Sequence, residues 1–64
     1  MMFIKLDFKN NLNNETEERI IKISRIQEIK NNEHSYGSEV LITGESGFLE
    51  VSQTVDEIFG AVSK

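Results

Sequence analysis

Apolar residues recur near the end of the chain at Val55, Ile58, Phe59 and Val62. This i, i+3, i+4, i+7 spacing gathers side chains on one face of an α-helix. Thr54, followed three places later by Glu57, is a capping box. A helix is therefore predicted over about 54–63. Upstream the period changes. Ile4, Leu6 and Phe8 alternate with Lys5, Asp7 and Lys9, which predicts a half-buried strand over 3–9. Asn10, Asn11, Asn13 and Asn14 then bring turn chemistry, since asparagine tolerates left-handed backbone and bonds its own main chain. Together with Leu12 and the acidic Glu15, Glu17 and Glu18, they read as a long, solvated hairpin connection.

The stretch from Ile20 to Lys30 carries Ile20, Ile21, Ile23, Ile26 and Ile29. At about 100° per residue these spread around the whole circumference of a helix and leave no polar side. So small a protein could not cover such a helix, and the β-branch of isoleucine favours strand. Two short strands are predicted, 19–24 and 26–31, with a kink or bulge at Ser24-Arg25 that resets the phase. A polar loop with Gly37 leads to a strand over 39–43. Gly44-Glu45-Ser46-Gly47 then turns the chain tightly into a strand over 48–52. No proline interrupts any of these segments.

The pattern gives an α+β fold in a single domain, 1–64. A small, strongly bent antiparallel sheet of four to five short strands, SH3-like or a partly open barrel, is closed by one C-terminal helix. Ile4, Leu6, Phe8, Ile21, Ile23, Val40, Ile42, Leu49 and Val51 are expected to line one sheet face, with the helix stripe across it. On this reading Phe59→Ala removes a core side chain and costs on the order of 3–5 kcal/mol. Phe3, Ile20, Leu41 and Phe48 fall out of phase with the inward set, so they belong on the other face or at its rim. On a chain this short they could merge into an interface patch, unless the curl of the sheet buries some of them.

Size sharpens that expectation. A chain of 64 residues buries only about 60% of the surface exposed when unfolded. Small domains make up the difference with disulfides, metals or oligomerisation. The chain has no cysteine and one histidine, which removes disulfides, thiolate sites and multi-His sites and leaves self-association. Seven bases against eleven acids give a net charge of −4. The bases are scattered singly, which disfavours nucleic-acid binding. Neither a signal peptide nor a span of about 20 apolar residues is present, so a cytoplasmic protein without a membrane partner is expected.

Catalytic chemistry finds little support. His34, beside Glu33 and near Tyr36, lacks the partner and pocket a general acid–base needs and reads as a solvated loop residue. Glu15, Glu17 and Glu18 lack the glycine-bearing loop of a calcium site. Asp56 and Glu57 sit where negative charge offsets the helix dipole. Gly44 to Gly47 lacks P-loop spacing, and Glu45 would repel an anion. No enzyme, cofactor or metal is predicted. Lys22 and Arg25, near the kink, are the plausible anion contacts. With His34 and Tyr36 they form a candidate ligand-binding set that an oligomer could assemble into one pocket.

The succession Phe3-Ile4-Lys5-Leu6, Ile21-Lys22-Ile23-Ser24-Arg25-Ile26, Val40-Leu41-Ile42-Thr43-Gly44, Leu49-Glu50-Val51 and Thr54-Val55-Asp56-Glu57-Ile58 resembles the short flagellar and swarming-motility proteins of the FlbD/SwrD type, and small bacterial and phage-borne proteins sharing that plan. The likeness spans most of the chain and consists of core and turn positions, so it implies a fold rather than a role. The first connection and the Asn31–Ser38 loop are longer than that plan has. No catalytic residue transfers.

The expectation is a non-catalytic binding protein acting through protein–protein contacts, as a homo-oligomer, on a host or bacterial protein. Its surfaces would be the outer apolar residues and the two long loops, with Leu12, His34 and Tyr36. Three alternatives stand beside it. One is a phage-encoded anti-defence inhibitor that binds a host protein. A second sequesters a small nucleotide signal at subunit junctions. The third, implied by the resemblance, is a motility-associated adaptor.

Overall fold

A computed structural model describes residues 2–10 and 12–63; Asn11, one of the expected turn residues, lies outside them, as do Met1 and Lys64. Five strands, β1 (Phe3–Asn10), β2 (Glu15–Lys22), β3 (Ile26–Asn31), β4 (Ser38–Ile42) and β5 (Leu49–Val51), precede one helix, α1 (Val55–Val62). They form one open antiparallel sheet in the order β2-β1-β5-β4-β3.

That order dictates curvature. Strands β2 and β3 stand at opposite ends of the sheet, which in a flat sheet would separate them by about 19 Å at ~4.8 Å per strand. Only Ile23–Arg25 joins them, as a single 3-10 turn that spans roughly 8 Å. The sheet therefore has to curl until its ends approach. The turn falls where the kink at Ser24-Arg25 was predicted. A bulge between Ile26 and Glu28 then slips the register, so Ile26 and Ile29 both pack against the core.

The core is Leu6, Phe8, Ile21, Val40, Ile42, Val51 and Ile58, with Ile4 and Leu49 half-buried against it. It matches the predicted inward set except for Ile23, which is half-buried in the turn. Seams between strands are closed by polar groups. Ser38, fully buried, donates from Oγ to the Gln53 carbonyl at 2.8 Å. Buried Asn32 donates from Nδ2 to Glu50 at 2.7 Å and accepts from the His34 N–H at 2.9 Å.

Two expectations are corrected. Strand β2 begins at Glu15, and its first half was expected to be a solvated connection. Asn10 and Asn13 side chains accept from the N–H groups of Leu12 and Glu15 at 2.9 and 3.1 Å, and Asn14 takes a φ of 58°, so the turn is tight. Main-chain pairing to β1 makes this segment a strand. It buries no side chain except Ile21, so apolar alternation could not reveal it.

The second correction concerns Phe59, which is 64% exposed. The helix settles with Ile58 fully buried and Val55 and Val62 half-buried. Phe59 lies about 100° around from Ile58, beyond the width of the contact. The capping box is present: Glu57 N–H donates to Thr54 Oγ1 at 3.1 Å, and Thr54 N–H donates to Glu57 Oε1 at 2.9 Å. No helix of the described residues is long and apolar enough to cross a membrane.

Candidate interaction surface

The pairing of β1 with β2 decides which apolar residues face outward. Directly opposed residues share a face of a sheet. The pair Ile4–Ile21 lies on the core side, so Phe3 with Lys22, and Lys5 with Ile20, lie on the outer side. Phe3 and Ile20 are thus diagonal neighbours, roughly 7–8 Å apart, and 47% and 69% exposed. Met2, paired with Ile23 and so in the phase of Ile4 rather than of Phe3, is 67% exposed at the end of the sheet, and its carbonyl accepts from the Ile23 N–H at 2.8 Å. Met2, Lys22, Ile23 and Ser24 line a shallow, largely apolar depression there.

Leu41 and Phe48 do not join this patch. Both are half-buried. Leu41 stands opposite Glu28 across β3–β4, and the Lys30 ammonium sits 4.3 Å from the centre of the Phe48 ring. Strand β5 separates β4 from β1. The four predicted interface residues therefore fall into two pairs, one open and one sheltered.

The loop between β3 and β4 is braced. Lys9 Nζ donates to the Tyr36 carbonyl and to Ser35 Oγ, the latter at 3.2 Å, and lies 3.8 Å from the Tyr36 ring centre. His34, Ser35 and Tyr36 meet Asn14 of the turn and Glu15 and Thr16 of β2 around an open depression. This collar is at the Lys9 end of β1, whereas Lys22 is beside Phe3 at the other end. Six residues of strand, roughly 20 Å, keep them apart. The guanidinium of Arg25 is committed to the Thr43 carbonyl at 2.8 Å. Within the chain, then, Lys22, Arg25, His34 and Tyr36 do not converge.

The acidic candidates separate in the same way. Alternation along β2 sends Glu18 to the outer face, where it pairs with Lys5 at 3.8 Å, and Glu17 to the inner face, opposite Phe8. Among the described residues no three His, Asp or Glu side chains gather. On that inner face the Arg19 guanidinium lies 4.8 Å from the Phe8 ring centre, so its stem helps to cover that aromatic.

The chain matches no protein-family model, no curated protein and no solved structure.

Proposed function

We propose that this chain is a non-catalytic binding module that works through protein–protein contact and self-associates. The reading rests on one observation. Phe3 and Ile20 are exposed apolar neighbours on the outer sheet face of a chain whose core, among the described residues, holds seven apolar side chains. Large apolar side chains exposed singly are ordinary, but adjacent ones mark interfaces. Their setting among Lys5, Glu18 and Lys22 gives the apolar centre and charged rim of a protein-binding patch.

The nucleotide-sequestering alternative requires Lys22, Arg25, His34 and Tyr36 to meet across a junction between copies. The engagement of Arg25 with Thr43 weighs against it.

Sedimentation of the wild type against Phe3→Ser and Ile20→Ser tests the proposal. The expected result is a concentration-dependent oligomer that both substitutions shift toward monomer while the folded spectrum is kept. A wild type that stays monomeric at millimolar concentration overturns self-association.

A further inference from the structure

We propose that two copies of this chain pair along the free edge of β2, antiparallel and two-fold symmetric, with Ile20 opposite Ile20 of the second copy. The inference rests on the self-association reading and specifies its geometry.

Among the described residues β2 pairs with β1 alone, so one edge of the strand is open. The phase of the ladder fixes which groups that edge presents. Ile23 N–H donates to Met2 O, which makes that pair a hydrogen-bonded one. Asp7 turns its main chain the other way, accepting from Ser52 N–H at 2.9 Å and donating to Gln53 Oε1 at 3.0 Å. In an antiparallel pair the two kinds of position alternate. Glu18, the partner of Asp7, therefore aims its N–H and C=O away from β1, and Thr16, Ile20 and Lys22 do the same. All four are exposed. An edge of this kind is a template for a further strand.

Charge selects the occupant and the register. Two-fold symmetry requires the strand to cross its own copy at a single residue. Centring on Glu18 or Arg19 opposes like charges, and so does centring on Glu17. Centring on Ile21 keeps only Ile20 and Lys22 in the bonded ladder. Centring on Ile20 opposes Glu18 to Lys22 of the copy, and Lys22 to its Glu18, so charges complement on both flanks. It also places three outward-facing residues of each strand in register, or about six main-chain bonds. The Ile20 side chains meet on the outer face beside both Phe3 side chains, covering the apolar patch described above.

The native chain has no cysteine, so single substitutions report proximity cleanly. Ile20→Cys should form a reducible disulfide dimer under mild oxidation much faster than Glu28→Cys, which is also exposed, on the opposite edge strand. Lys22→Glu should weaken the dimer severalfold in sedimentation, and adding Glu18→Lys should restore it. A wild type that is monomeric at millimolar concentration overturns both this pairing and the self-association reading. A dimer in which Ile20→Cys links no faster than Glu28→Cys, or in which the double reversal fails to rescue, overturns the edge pairing alone.

Discussion

Gln53 extends the sheet with its side chain where the main chain has already left it. Its amide accepts from the Asp7 N–H at 3.0 Å and donates to the Asp7 carboxylate at 2.9 Å. The first replaces the bond that the carbonyl of a further strand residue would have offered, and the second ties the Asp7 side chain to the same amide. Strand β5 is only three residues long and has one register pair with β1, Phe8–Val51. The Gln53–Asp7 clasp, with Ser52 N–H on the Asp7 carbonyl, therefore holds the seam that lets the sheet curl. Gln53→Ala strips a half-buried N–H and carboxylate of partners, at a cost of about 1–3 kcal/mol. Urea unfolding should show the lower midpoint, and an unchanged midpoint would remove the clasp from the account.

Gly37 and Gly60 should respond oppositely to alanine. Gly37 has a φ of +91°, and a Cβ there would stand 2.1 Å from the Val51 carbonyl oxygen, which belongs to a paired strand and cannot give way. Gly37→Ala should lose at least about 2 kcal/mol. Gly60 is in the exposed helix with no atom near the added methyl, so Gly60→Ala should gain roughly 0.5–1 kcal/mol. Thermal melts of the two variants should move in opposite directions.

The helix stripe is divided by exposure. Ile58 is fully buried, and Ile58→Ala should cost about 2–5 kcal/mol, enough to unfold a marginal domain. Phe59→Ala should leave the melting temperature nearly unchanged, because its ring is mostly in water. Equal losses for the two would mean that α1 is rotated relative to this arrangement.

Thr54→Ala removes the side-chain acceptor for the Glu57 N–H. The expected loss is about 1 kcal/mol. Thr54→Ser keeps the oxygen and should recover most of it in the same denaturation experiment.

How much of this was legible in the sequence follows from which forces have a period. Leu6, Phe8, Val40, Ile42 and Val51 announced themselves because burial on one sheet face repeats every second residue. The cap at Thr54 was legible because its partners are three residues apart. The opening of β2 was not, since Glu15–Glu18 are held by main-chain bonds that any side chain permits. The candidate site divided along the same line. The outward phase of Phe3 and Ile20 could be counted along the chain, but their adjacency depends on the β1–β2 register. The separation of Leu41 and Phe48 from them depends on β5 lying between.

By itself, then, the sequence determined the elements whose cause is local or periodic: the inward-facing strands, the kink after Ile23 and the capped helix. Only the tertiary structure decided the strand order, the Gln53–Asp7 seam, the exposure of Phe59 and the open edge of β2. Each of these arises where distant segments meet, and contact between residues far apart in the chain leaves no periodic trace along it.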